Sequence, residues 1–186
     1  NILTGYYRPF MLLFFYTTRI LFGLNPFFYH TPQIILGIVN SFLVFTLFKR
    51  FIRREVAFLC SLLFLIHSIN QETVAYVSNI QDILFFLFGI LGLLILTRAK
   101  TSKEVVIGAA VMLAPLLSKE SGILFIFITL VYVWLFKKNK IKMCMLTLIS
   151  ITLTYLAIRL ISQGTSLFWI EPSPIRHLSL AERLLH

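Results

Sequence analysis

The residues able to do chemistry in this 186-residue chain are few, and they fall in two polar segments. The first holds His67, Ser68, Asn70, Gln71 and Glu72 and continues to Ser78, Asn79, Gln81 and Asp82; the second is Ser118, Lys119, Glu120 and Ser121. Carboxylates such as Glu72 and Asp82 can exchange protons or pair with cations, and Lys119 can pair with an anion. Both segments follow apolar runs too short to cross a bilayer: residues 56–66 and 105–117 measure roughly 16 and 20 Å as helices, against a hydrocarbon core of about 30 Å. Polar chain therefore begins below the outer surface, where it is tolerated only if buried in protein or lining a water-filled cavity. The simplest arrangement is one outward-opening polar pocket lined by both turns.

Each of these residues also has a purely structural reading. Asp82 can be the third-position acid of a helix capped by Asn79, favourable to the helix macrodipole. Lys119 and Glu120 can pair with other charges simply to remain soluble at that depth, and His67 can be a hydrogen-bonded packing residue. Glu72 fits the structural reading least, because no basic residue stands near it in sequence. Cys60 and Cys144 lie inside apolar runs without CxxC spacing or a nearby His, so they are expected to be small core residues, and no metal site is expected.

The elements that must position these side chains follow from composition. The chain is 59% hydrophobic and 13% charged, with 19 Phe and a mean hydropathy of +0.91. There are too few polar residues to cover one apolar core in water, so apolar stretches must face lipid. The net charge of +10 would ordinarily raise nucleic acid as a partner. Here most of the basic residues form three clusters: Lys49, Arg50, Arg53 and Arg54; Arg98, Lys100 and Lys103; Lys137, Lys138, Lys140 and Lys142. The clusters recur at every second connection, as the positive-inside rule requires of cytoplasmic loops, and nucleic-acid binding is not expected.

The expected fold is all-α: a polytopic transmembrane helix bundle of about six spans plus an outer-surface amphipathic helix. The spans are residues 32–48, 56–66, 83–96, 105–117, 123–136 and 143–158. Residues 9–24 supply the surface helix, since Arg8 and Arg19 flank an aromatic face of Phe10, Phe14, Phe15 and Tyr16 suited to headgroups, although a transmembrane reading of this stretch stays open. Thr101 with Glu104 forms a capping box, Pro115 lies near the outer end of its helix, and Ser179 with Glu182 forms a second box in an outer segment that begins at residue 159. One domain is expected, divided into residues 1–31 (end of a first outer loop with the surface helix), 32–158 (the spans) and 159–186 (an outer loop). With no initiator Met at Asn1 and a helix expected to open at the other end, the chain is expected to be an internal fragment.

A set of short motifs then carries a resemblance. Tyr7, Arg8 and Pro9; Gly23, Leu24, Asn25, Pro26, Phe27, Phe28, Tyr29 and His30; His67 with Glu72, Val74, Ala75 and Asp82; and Leu117, Ser118, Lys119 and Glu120 occur in this order across nearly the whole chain. In this it resembles the transmembrane-and-tetratricopeptide-repeat O-mannosyltransferases and their bacterial relatives, within the GT-C class of glycosyltransferases; the family's tetratricopeptide repeats are not in these residues. The resemblance implies an enzyme that takes a sugar from a polyprenyl-phosphate carrier on the non-cytoplasmic side and transfers it to a protein or glycan acceptor, without a further cofactor. It implies Glu72 and Asp82 as the acidic residues of a second outer segment and Arg8 and Lys119 as holders of the carrier phosphate, with His67 and Glu120 also on the substrate side. The main general base would sit in an outer loop preceding Asn1. Where the family usually has a Pro after the first His, a second His three positions on and an Arg two positions before the Asp, this chain has Ser68, Asn70 and Ile80.

The expected function is therefore membrane glycosyl transfer, with membrane lipid as surroundings and a multi-pass location for which a bacterial inner membrane is favoured over the endoplasmic reticulum. Two rivals stand beside it. A transporter or lipid flippase would also place ionisable residues in a mid-membrane cavity, and a non-catalytic assembly subunit would retain the fold without the missing motif residues.

Overall fold

The structure is a computed structural model that describes residues 8–163. Tyr7 and the segment from residue 164, including the second expected capping box, lie outside the described residues. Nine α-helices make up the rest: α1 (Pro9–Phe22), α2 (Phe27–Phe48), α3 (Arg54–Ile66), α4 (Ser68–Ala75), α5 (Ile80–Arg98), α6 (Ser102–Ala110), α7 (Leu113–Ser118), α8 (Ile123–Phe136) and α9 (Ile141–Gln163). The chain is an all-α membrane bundle. Among the described residues three helical segments are long and apolar enough to cross a membrane, Phe27–Phe48, Val77–Arg98 and Lys138–Ile161, and the other apolar helices are shorter.

The helix α5 is the central element and packs against α2, α6 and α7. Its residues Leu93, Leu94 and Leu96 join Val105, Met112, Phe125, Cys144 and Leu148 in the buried core. Phe, Leu and Ile side chains elsewhere point outward in large numbers, Leu24 at 78% and Leu146 at 71% exposed among them. That distribution suits a bundle whose solvent is hydrocarbon and not water.

The bundle has two chemically different ends. At one end lie the three basic connections. Phe51, between α2 and α3, meets Tyr132 and Phe136 of α8, with ring centroids 6.4 and 6.3 Å apart. Lys137 donates to the Ala99 carbonyl and Lys140 to the Lys100 carbonyl, tying the α8–α9 connection to the end of α5. Burial, helped by neighbouring Lys140, lowers the Lys137 pKa. The Thr101 and Glu104 capping box forms with both of its hydrogen bonds present and opens α6 at this end.

At the opposite end lie Arg8, α4 and the turn between α7 and α8. Both ends of α1 lie here: Arg8 precedes its first turn, and Phe22 stacks on Phe28 of α2 at 4.0 Å between centroids. The helix thus runs across this end of the bundle, its first turn leaning in where Phe10 meets Phe88 at 5.1 Å.

Several bounds differ from the sequence expectation: α5 starts at Ile80 and not at residue 83, and α9 runs to Gln163, through the start of the expected outer segment at residue 159. The first span begins at Phe27, before Pro32, because a proline close to a helix start removes only one ladder bond and residues 27–31 are otherwise helix-compatible. The stretch expected as one helix over 105–117 is two, α6 and α7, parted at Val111 and Met112. The cause is Pro115, which cannot donate to the Val111 carbonyl and whose ring crowds it.

Candidate functional site

The chain direction alone brings the polar residues together. A helix leaving the basic end must stop where its apolar residues stop; α3 ends at Ile66 and α7 at Ser118. After α3, His67 adopts an extended backbone and its carbonyl accepts from the amides of Asn70 and Gln71, both at 3.0 Å, so the chain turns at once into α4. The Asn70 and Gln71 side chains donate back to the Phe64 and Leu65 carbonyls, each at 2.6 Å, satisfying the open end of α3. After α7, Lys119 is extended and Gly122 closes a single 3-10 turn. The absent side chain of Gly122 is essential there, since a Cβ would stand 2.5 Å from the carbonyl carbon of Pro115.

Two ion pairs result. Lys119 donates to Asp82 in the first turn of α5. Arg8 contacts Glu120 at 3.2 Å and donates to the Gln81 side-chain oxygen at 2.6 Å. Gln81 and Asp82 are consecutive, as are Lys119 and Glu120, so two adjacent rungs join α5 to the α7–α8 turn and Arg8 ties in α1. Asn79 makes no side-chain capping bond to α5, and Asp82 is engaged by Lys119 rather than acting as a helix-start acid alone.

Beside the Lys119–Asp82 pair lies a cavity of about 610 Å³, whose polar lining is Asn40, Asn70, Gln71, Thr73, Asp82 and Lys119 and whose walls include Phe64, Phe85 and Phe86. Both polar turns thus contribute to one cavity. Glu72 is exposed on α4 and is not among the lining residues, and neither are His67, Arg8 and Glu120. Arg8 and Glu120 instead flank the pair. Among the described residues no group of three or more His, Cys, Asp or Glu could hold a metal ion.

Two supporting residues escaped the sequence analysis. Gln33 is fully buried and its amide donates to the Val77 carbonyl at 2.7 Å, while Asn40, 4% exposed, donates to the Ile83 carbonyl at 3.1 Å. They brace the backbone on either side of Asp82 from α2. Their signal was available: two amides seven positions apart in an uncharged apolar run share one helix face, and amides in such a run face protein and not lipid.

Protein O-mannosyl-transferase TMTC1 of Homo sapiens is 38% identical over 95 residues, 50% of this chain and 11% of the relative. The Mus musculus TMTC1 is 36% identical over 95 residues, 50% of this chain and 10% of the relative. Protein O-mannosyl-transferase TMTC3 of Homo sapiens is 30% identical over 132 residues, 68% of this chain and 14% of the relative. The chain resembles the protein O-mannosyl-transferases. It spans 10% to 14% of the length of the curated relatives it matches. No family model matches it, and no solved structure matches it at a significant level. The relatives carry the name of the family whose motifs the two polar turns resemble.

Proposed function

We propose that this chain is part of a membrane glycosyltransferase that moves a sugar, mannose-like, from a polyprenyl-phosphate carrier to a protein or glycan acceptor on the non-cytoplasmic side. The observation that carries the reading is the Lys119–Asp82 pair on the wall of a largely apolar cavity, in a chain similar to O-mannosyl-transferases. In the proposed step the acceptor hydroxyl oxygen bonds to the anomeric carbon as the bond from that carbon to the carrier phosphate breaks. The electron pair leaves with the phosphate oxygen, and the hydroxyl proton passes to a carboxylate.

Lys119 meets the charge that grows on the departing phosphate, and Asp82 fixes its ammonium at the cavity wall. Arg8 adds a second cation beside it, and the aromatic walls accept the apolar start of the carrier. The proton goes to Glu72, exposed on α4 between the lining residues Gln71 and Thr73, or to a carboxylate outside these residues. The basic connections at the far end support the cytoplasmic assignment of that end, and hence a site facing the other way.

Radiolabel transfer from polyprenyl-phosphate sugar, in membranes holding the full-length protein, tests this. Lys119→Ala should lower transfer roughly 100-fold or more, the usual effect of deleting one charge-stabilising group; Glu72→Gln distinguishes Glu72 from a base elsewhere. Unchanged transfer in both variants overturns the assignment.

A second reading, a non-catalytic subunit with the same fold, draws on the departures from the family pattern. Asn70 is spent on capping α3, and Ile80 is fully buried, leaving no room for the arginine the family usually carries there. Absence of transfer by the wild-type protein, with assembly of a partner enzyme lost on its removal, favours that reading.

A further inference from the structure

Away from the polar end, α2 and α3 part to leave an open groove of about 850 Å³. Its floor is closed where the Ser41 hydroxyl donates to the Ser61 carbonyl at 2.7 Å. Its walls are Phe42, Phe45, Phe58 and Leu59, and its mouth at the basic end is formed by Arg54 and Glu55. Lys49 sits over the Phe45 ring at 5.3 Å, and Arg50 and Arg53 stand in the same connection. No side chain caps the amino end of α3, which begins at Arg54, so its first amides face the mouth as well. Four cations and a helix amino terminus thus share one connection with a single acid, Glu55, at the end of an apolar channel.

We propose that this groove binds one anionic phospholipid from the leaflet at the basic end, with acyl chain along the phenylalanines and phosphate held at Arg54 and Arg53. Charge sets the headgroup: clustered Lys and Arg at a membrane surface attract anionic lipids. Length sets the occupant. The lining of α3 runs from Arg54 to Leu65, roughly 16 Å at the helical rise, about half of a hydrocarbon core of ~30 Å. A partner's transmembrane helix would need the full thickness, whereas a lipid of one leaflet needs half. The groove shares Ile38 and Leu65 with the polar cavity, but its cations stand at the opposite end from Lys119 and Asp82, so lipid binding there does not depend on the transfer reaction.

Native mass spectrometry of the full-length protein, released from detergent after addition of phosphatidylglycerol or phosphatidylcholine, tests it. Wild type should retain one phosphatidylglycerol in preference to phosphatidylcholine. The Arg53→Gln/Arg54→Gln variant should lose roughly thirtyfold of that preference, at the strength usual for two cations at a lipid surface. Leu59→Trp, which fills the groove and leaves every charge in place, should lower retention of phosphatidylglycerol too. Equal retention of both lipids by wild type overturns the proposal. So does loss in the arginine variant with full retention in Leu59→Trp, which would mean attraction by the charged connection without a groove.

Discussion

Lys119, in the turn after α7, donates to the carboxylate of Asp82 in the first turn of α5, a contact spanning 37 positions. Each side chain is about one quarter exposed, so the pair is neither a surface ion pair nor a fully desolvated one. Removing one member should then cost more than breaking an exposed pair. A cycle of Lys119→Ala, Asp82→Asn and the double variant, read by thermal unfolding in detergent, should show a coupling of about 0.5–3 kcal/mol. In transfer assays the double variant should be no worse than Lys119→Ala alone, because Asp82 acts through Lys119. Additive losses in activity would give Asp82 a separate role.

Arg8 is held by geometry that a lysine does not reproduce. Its Nη1 donates to Gln81 at 2.6 Å while Nε and Nη2 reach the same oxygen of Glu120 at 3.4 and 3.2 Å. A single ammonium can keep one of these partners with good geometry, not both. Arg8→Lys should destabilise this end by about 1–2 kcal/mol, in the range of one lost charge-assisted bond. Hydrogen exchange should quicken in α1 and in the turn at Lys119 to Gly122, with α6 and the basic connections unchanged. Uniform exchange across the bundle would mean that Arg8 does not fasten these elements.

Gly122 sets where Lys119 and Glu120 stand. An added Cβ would lie 2.5 Å from the Pro115 carbonyl carbon and 2.6 Å from the Leu116 nitrogen, and neither is the tip of a flexible side chain. The turn must move outward to accept it, at a cost of roughly 1–3 kcal/mol typical of overpacking. Gly122→Ala should therefore lower the unfolding temperature and weaken both ion pairs. If its unfolding temperature and transfer rate match wild type, the close approach is not what places the turn.

Much of the helical framework was legible in the sequence because its causes are local. The apolar runs, the basic connections and the Thr101 and Glu104 box depend on neighbours within a few positions, and α8 has the expected bounds of 123–136. The split at Val111 and Met112 was written in Pro115, but a proline near a helix end and one that breaks a helix look alike until packing decides. The partners within the site were not legible. That Lys119 meets Asp82 while Glu120 meets Arg8 follows from how α7 lies on α5, and no local pattern carries that. Glu72 stood out through its isolation from basic residues, but isolation has no direction, and α4 turns it outward instead of toward the cavity.

The capping box at the basic end gives a pH dependence independent of the site. The backbone amides of Lys100 and Thr101 donate to the Glu104 carboxylate and hold its pKa below the ordinary 4.5. A carboxyl with a depressed folded-state pKa contributes stability that is present above its unfolded value and is lost as pH falls through its folded value. The window therefore lies at and below 4.5. Glu104 lies at the helix start, where its negative charge also favours the macrodipole of α6. Unfolding temperatures of wild type and Glu104→Gln, followed in detergent from about pH 6 down to about pH 3, should converge as the wild-type carboxyl protonates. Glutamine keeps the reach of the side chain and lacks the titrating proton, so the variant should be the less stable near pH 6 and should lack this part of the acid dependence. A constant gap between the two curves over the whole range would show that the box stabilises α6 through shape alone and not through its charge.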